Sequence, residues 1–322
     1  MTPTSSRPAI EATGLRKSYG DKTVLAGIDL HVPAGTIFSL LGPNGAGKTT
    51  TVQILSTLIR ADSGQVRIAG HDLATRPDAV RAAIGVTGQF SAVDKLLTAE
   101  ENLHLMADLR HLGKAEGRRR TAELLEAFDL TDRARKTAAT FSGGTLRRLD
   151  LAMTLMGGPE VIFLDEPTTG LDPRSRRAMW EIIRELVAGG VAIFLTTQYL
   201  EEADQLADRI AVLDGGRLVA QGTAHELKRL VPGGNISLRF TEYAALDHAA
   251  RAFAEAARDD EALTLQIPSD GGVPSLRALL DRLDAESIEV GALTVNTPDL
   301  DDVFLALTGR PGGQPTTSAP AR

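Results

Sequence analysis

The sequence predicts an α/β fold, a mostly parallel sheet wrapped by helices, with a smaller α+β module behind it. Three observations carry this. The stretch Gly42-Pro43-Asn44-Gly45-Ala46-Gly47-Lys48-Thr49-Thr50 fits G-x-x-x-x-G-K-[ST] and lies between an apolar run at 36–41 and a helix-periodic segment with Val52, Leu55 and Ile59 on one face. Runs at 161–164 and 191–195 are apolar without interruption, the pattern of strands covered on both faces in parallel sheets. Pro232-Gly233-Gly234 then separates this region from a stretch of short alternating strands and helices.

Composition narrows the class. The 322 residues are 43% hydrophobic and 24% charged, ordinary for a globular chain with a sizeable core. A net charge of -7 argues against wholesale phosphate-backbone binding but excludes no local basic patch; no nucleic-acid partner is expected. There is no cysteine, which excludes disulfides, cysteine nucleophiles and thiolate metal sites and accords with a reducing compartment. No apolar run approaches the roughly 20 residues of a membrane helix. The first eight residues lack the apolar core of a signal peptide. Contact with a membrane would run through a partner.

Taken in order, residues 1–9 read as a disordered lead and 10–231 as one domain. Short apolar runs broken by Gly20, Gly27 and Pro33 predict a small antiparallel sheet over 10–32. Tyr19 reads alone as a packing residue and, upstream of a phosphate loop, as a platform for a purine base. In the loop itself, glycines let the backbone approach a triphosphate and successive N–H groups form an anion cradle, completed by the positive end of the following helix. Lys48 suits the β- and γ-phosphates, and the Thr49 hydroxyl suits Mg²⁺. Strands follow at 65–68 and 84–87, the second leading directly into Gln89. Residues 98–130 turn helical, within a helical subdomain spanning about 90–155, where Arg118-Arg119-Arg120 reads as a solvated face.

Ser142-Gly143-Gly144 opens an amphipathic helix carrying Leu146, Leu149, Met153 and Met156. Ser142 is a natural N-cap, and the glycines leave the helix start open to an anion. The run at 161–164 ends in Asp165-Glu166-Pro167, two carboxylates at a strand terminus where α/β sheets bind ligands. Asp165 suits the Mg²⁺ shell and Glu166 a base that orients water. Asp172-Pro173 starts a helix with cap and N1 proline in their preferred order, and Gly189 ends it. After the strand at 191–195 come Thr196-Thr197-Gln198, strands at 209–213 and 217–220, and a helix at 223–230. The accessory domain, 235–310, reads as strands at 236–240 and 263–267, helices at 246–258 and 275–283, and a last strand at 288–295. Thr297-Pro298 is expected to cap a final helix stopped by Gly309, and the Pro/Gly/Ser/Thr-rich tail 311–322 to be disordered.

In order and spacing, the phosphate loop, Gln89, Ser142-Gly143-Gly144, Asp165-Glu166 and residue 198 together resemble the ATP-binding cassette (ABC) ATPases over about residues 10–230. Within them, Val86-Thr87-Gly88-Gln89, Thr196-Thr197-Gln198-Tyr199-Leu200-Glu201-Glu202-Ala203-Asp204 and Leu300-Asp301-Asp302-Val303-Phe304-Leu305-Ala306-Leu307 look like the ATPase subunits of daunorubicin/doxorubicin-resistance exporters. The resemblance implies a P-loop NTPase core with antiparallel β and helical subdomains and a C-terminal α+β module. It implies Mg²⁺-dependent ATP hydrolysis by two copies joined head to tail, with each ATP between the loop of one copy (42–50) and Ser142-Gly143-Gly144 of the other. Tyr19 would stack on adenine, Gln89 would contact Mg²⁺ or the attacking water, and Asp172 would join the two sites. The helical insert would meet a separate membrane permease, placing the chain on the cytoplasmic face of the cell membrane. Polysaccharide or lipid export, or action on ribosomes or DNA, are the alternative uses of the same chemistry.

Two departures from the family pattern stand out. Thr145 replaces the usual Gln or Met and is expected to leave the site intact. Gln198 replaces the usual His; an amide can donate one hydrogen bond to the γ-phosphate but cannot become cationic or relay a proton, so position 198 is expected to orient rather than titrate.

Overall fold

The computed structural model describes residues 7–89, 91–231, 234–296 and 298–309. The tail at 311–322, most of the lead, and Pro232-Gly233 lie outside the described residues. Ala9, assigned to the lead, belongs instead to the core: it is buried, and its N–H donates to Val32 O at 2.8 Å. Contacts divide the chain into two compact units, one up to Ala224 and one from His225, so the division falls ahead of Pro232-Gly233-Gly234.

In the first unit β1 (Ile10–Tyr19) and β2 (Lys22–Val32) pair antiparallel, β3 (Ile37–Leu41) runs into the phosphate loop, and α1 (Lys48–Leu55) leaves it. β4 (Ser63–Ile68), the two-residue β5 (His71–Asp72), α2 (Pro77–Ala83) and β6 (Ile84–Thr87) follow. The helical insertion holds α3 (Ala99–Leu109), α4 (Lys114–Ala127) and α5 (Gly143–Thr154). Then come β7 (Val161–Asp165), α6 (Pro173–Ala188), β8 (Ala192–Thr197), α7 (Leu200–Leu206), β9 (Arg209–Asp214) and β10 (Arg217–Gly222), with α8 (Ala224–Lys228) across the division.

Strands β2-β1-β4-β5 make an antiparallel sheet, and β10-β9-β3-β8-β7-β6 a second sheet in which β10 alone runs antiparallel to its neighbour. The uninterrupted apolar runs are explained by what covers this second sheet. Phe38, Phe194 and Phe163 stand in register on β3, β8 and β7, and the Phe38 and Phe194 rings stack at 5.6 Å. That face packs on α1 (Val52, Ile54) and on the antiparallel sheet (Leu15, Ile28, Ile68). The opposite face, with Ile37, Ile193 and Ile162, packs on Leu103, Leu149 and Met153 of the insertion and on Met179, Trp180 and Ile183 of α6. A polar residue in mid-strand would forfeit about 1.5–3 kcal/mol of burial whichever way it pointed.

Local signals set the helix starts. Thr98 and Glu101 form a reciprocal capping box on α3, and the Asp172 carboxylate accepts from the N–H groups of Arg174 and Ser175 on α6. Several elements differ from expectation. α1 ends at Leu55: Thr57 takes a φ of 66°, and the N–H groups of Leu58 and Ile59 turn back to Gln53 O, so Ile59 is outside the helix. The helical stretch 98–130 breaks after Leu109, where His111 adopts a φ of 56°, giving two helices.

In the second unit β11 (Asn235–Arg239), β12 (Ala257–Asp259), β13 (Thr264–Pro268) and β14 (Ala292–Asn296) form an antiparallel sheet ordered β12-β13-β11-β14, and α9 (Tyr243–Ala252) and α10 (Val273–Ala285) share with it an apolar core of Ile236, Leu238, Leu246, Leu265 and Leu283; α11 (Leu300–Thr308) follows β14. The helix expected over 246–258 stops at Ala252, because residues 257–259 instead satisfy their backbone by pairing with β13. The last strand covers only the end of the expected 288–295. Asp299, not Thr297-Pro298, caps α11, through a capping box with Asp302; Thr297 lies outside the described residues.

Candidate active site

Four neighbouring parallel strands, β3, β8, β7 and β6, end on one edge of the sheet, and each releases one candidate segment there: 42–50, Gln198, Asp165-Glu166 and Gln89. This carboxyl edge is where open α/β sheets bind ligands.

The loop is shaped by its glycines. Gly42 donates its N–H to Thr197 O at 3.3 Å, and a Cβ there would fall 2.3 Å from Leu213 O. Gly47, at a φ of 114°, turns the chain into α1. Pro43, Asn44, Gly45 and Ala46 form the bend between them, with Ala46 N–H donating to Pro43 O at 3.2 Å and Asn44 and Gly45 exposed. Lys48 is folded into the loop. Its Nζ donates to Gly42 O at 2.7 Å and Pro43 O at 3.2 Å, and lies 3.6 Å from Glu166 Oε1. Burial pulls the pKa of this ammonium down, opposed by the Glu166 and Asp165 carboxylates. Thr49 and Thr50 are half-buried in the first turn of α1.

Asp165 is buried at the end of β7 and accepts a hydrogen bond from Thr196 Oγ1. Glu166 takes a left-handed φ of 52°, a conformation costing a non-glycine residue on the order of 1–2 kcal/mol. It is held there by Thr196: Glu166 N–H donates to Thr196 O at 3.1 Å and to Oγ1 at 3.2 Å, while its carboxylate accepts from Thr169 Oγ1 at 3.2 Å. In this conformation its carboxylate lies beside the loop lysine. A cavity of about 560 Å³ opens here, lined by Asn44, Gln89, Gly143, Arg147, Glu166 and Gln198 among others.

Other expected residues stand elsewhere. Ser142 caps α5, its Oγ accepting from Thr145 N–H at 3.3 Å, and lines a second cavity with Arg133, Arg135 and Lys136. Thr145 is buried, shares a 2.9 Å hydrogen bond with the Ser142 hydroxyl and accepts from Arg133 at 3.2 Å, so the departure at 145 supports Ser142. Gly144 allows α5 to approach α6: a Cβ would lie 2.7 Å from Ser175 Oγ. The Asp172 carboxylate is engaged in capping α6 and in accepting from that same Ser175 hydroxyl, and these bonds hold its pKa down. Tyr19 is 51% exposed, with Lys17 Nζ over its ring at 5.4 Å from the centre, so it is a surface aromatic and not a core residue.

Sequence reasoning missed Thr196 as a support and missed Arg147 and Asp150, both buried inside the amphipathic helix. The available signal was an opposite-charge pair three residues apart, Arg147 and Asp150, each directly after an apolar-face residue, Leu146 and Leu149.

Residues 25–169 match the family model described as ABC transporter. The daunorubicin resistance ATP-binding protein DrrA2 of Streptomyces coeruleorubidus is 48% identical over 306 residues, covering 94% of this chain and 95% of the relative. The chain belongs to the ABC transporter ATP-binding family. As an ABC ATPase it hydrolyses ATP, and the resemblance drawn from its motifs is borne out. The daunorubicin/doxorubicin resistance ATP-binding protein DrrA of Streptomyces peucetius is 45% identical over 318 residues, 97% of this chain and 96% of that one. A solved structure described as the ATP binding subunit of an ABC transporter superimposes with a TM-score of 0.62 at 32% identity, covering 69% of this chain and 92% of its own. The P-loop ABC ATPase core is thereby shown.

The oxygen set also suits the family's metal. Asp165, Thr49 and Gln89 offer a carboxylate, a hydroxyl and an amide oxygen, the hard donors Mg²⁺ prefers. Mg²⁺ keeps several waters and binds through substrate phosphates and one or two protein oxygens.

Proposed function

We propose that this ABC ATPase drives export of a hydrophobic, amphiphilic drug through a separate integral membrane subunit, working as a head-to-tail pair on the cytoplasmic face of the membrane. The observation that carries the chemistry is the 3.6 Å approach of Lys48 Nζ to Glu166 Oε1 at the mouth of the phosphate loop. It supports a site with a cation for the phosphates and a carboxylate for the attacking water.

In this reading the backbone of 42–50 and Lys48 bind the phosphates of ATP, and Tyr19 stacks on the base. Glu166 orients a water molecule and takes its proton, in a position fixed by Thr196 and Thr169. Gln198 donates its amide N–H to the γ-phosphate and does not titrate. Thr49, Gln89 and Asp165 would hold Mg²⁺, which when bound supplies neutralisation of phosphate charge. The second copy contributes Ser142, Gly143 and Gly144 over the same ATP, with Asp172 in the segment between the two sites. Closure on ATP and release after hydrolysis then switch the partner, because a γ-phosphate held by two subunits ties dimer stability to the state of the nucleotide.

Two points support a membrane partner and a drug cargo. Among the described residues no helix is long and apolar enough to cross a membrane, so a transport path is not built from them. The relatives described above are named for daunorubicin and doxorubicin resistance. The test is affinity purification from detergent-solubilised membranes, followed by daunorubicin uptake into inverted vesicles. An integral membrane protein should co-purify, and uptake should need ATP and disappear with Glu166→Gln. Recovery with ribosomes or DNA and no membrane protein would refute the proposal.

A further inference from the structure

Arg147 is buried one turn inside α5, the helix that opens at Ser142, yet its guanidinium reaches three backbone carbonyls of the catalytic edge. It donates to Gly88 O at 2.8 Å, Pro167 O at 3.0 Å and Asp165 O at 3.4 Å. It also donates to Asp150 Oδ2 at 3.3 Å. Asp150, one turn further along, accepts from Ala92 N–H at 3.1 Å through its other oxygen. Gln89 is thus flanked on both sides by attachments to α5, Gly88 through Arg147 and Ala92 through Asp150. Beneath it, Thr87 Oγ1 and Thr154 Oγ1 share a hydrogen bond of 2.9 Å, which ties the end of β6 to the same helix.

The residue types fit this task. A planar guanidinium with several fixed donors can serve carbonyls in different directions, where an ammonium acts as a compact point charge. The buried carboxylate supplies the counter-charge that such a cation needs. The carbonyls at 165 and 167 bracket Glu166, so one side chain spans from the residue before Gln89 to the residues around the candidate base. Asp165 and Glu166 have independent support from Thr196, whereas Gly88, beyond the β6–β7 pairing that ends at Thr87 and Leu164, is joined to them through Arg147.

We propose that Arg147 and Asp150 are positioning residues that clamp Gln89 in register with Glu166 and with the helix opening at Ser142. The inference rests on the reading above that Gln89 faces the nucleotide. Movement of α5 when Ser142 meets the second copy's ATP is then carried to Gln89 of the same chain.

The test is a double-mutant cycle on ATP hydrolysis by the full chain, with Arg147→Met, Gln89→Ala and the double variant, alongside nucleotide affinity and melting temperature. Misplacement of a catalytic group by about 1 Å lowers turnover by on the order of 10²-fold, so each single variant should lose about that much kcat with little change in KM. The double variant should fall to about the level of Gln89→Ala alone, because no register remains to be lost. A loosened fold would instead multiply the two losses. Arg147→Lys, which keeps a charge against Asp150 but lacks the fork, repeats the cycle if the Met variant does not fold. Multiplicative losses, or wild-type turnover in both Arg147 variants while Gln89→Ala is impaired, overturn the clamp alone. Wild-type turnover in Gln89→Ala refutes the assignment of Gln89 and the clamp with it.

Discussion

Thr196→Val exchanges a hydroxyl for a methyl at nearly constant volume inside β8. The Thr196 Oγ1 donates to Asp165 Oδ1 and accepts from Glu166 N–H at 3.2 Å. Glu166 N–H keeps the carbonyl of residue 196 at 3.1 Å, so the loss that nothing replaces is the donor to the Asp165 carboxylate. A hydrogen bond to a charged group contributes about 1.5–3 kcal/mol. Asp165 is only 3% exposed, which leaves water little access to take over. The expected loss is therefore about 1.5–3 kcal/mol, or a fall of about 3–12 °C in the melting transition of the first unit. Turnover should fall too, since the two carboxylates lose a shared support. Thr196→Ser keeps the hydroxyl and removes one methyl, so it should retain more of the turnover than Val does. Calorimetry and steady-state phosphate release read both effects. Stability of the Val variant within about 0.5 kcal/mol of the parent, or turnover at or above that of Ser, would show that the Thr196 hydroxyl does not support the two carboxylates.

Two further outcomes follow from the same geometry. Gly47→Ala places a Cβ 2.8 Å from Leu25 Cδ2 and 3.0 Å from Val24 O at a φ of 114°, so it should lose about 2–4 kcal/mol by chemical denaturation together with ATP binding; unchanged binding would contradict the assigned turn. Glu202 accepts from Thr168 Oγ1 and Trp180 Nε1 while buried, and burial pushes its pKa above the ordinary glutamate value of 4.5, outweighing those donors and nearby Arg176. Above pH 4.5 the unfolded chain releases a proton that the native state keeps, so this group's contribution to stability is lost as pH rises through the raised native pKa. Glu202→Gln, which does not titrate, should gain in melting temperature relative to the parent across that rise, and a difference that stays flat with pH would contradict it.

The candidate site was legible in the sequence where chemistry demands particular residue types at fixed spacing. The phosphate loop needs glycine at 42 and 47 and a lysine at 48, and a strand buried on both faces ending in Asp165-Glu166 stands out against its apolar run. The rest depended on contacts remote in sequence. Arg147 meets Gly88 and Pro167 only because α5 packs across the ends of β6 and β7. Thr196 looked like one polar residue among three until β8 paired with β7 and set it opposite Asp165. α2 and α7 went unread because each spans only seven residues, too short for a helical period to declare itself. Residues 257–259 look helical by periodicity, yet the open edge of β13 recruits them as a strand.

In the proposed head-to-tail pair the phosphate loop of one copy and Ser142-Gly143-Gly144 of another close over ATP, with Glu166 as the base. Sedimentation of Glu166→Gln with saturating Mg-ATP tests it most directly. The variant should bind ATP, release no phosphate, and sediment at twice the 34.2 kDa of one chain, returning to the monomer when ATP is withdrawn. Hydrolysis at the parent rate, or a monomer at saturating ATP, would contradict the account.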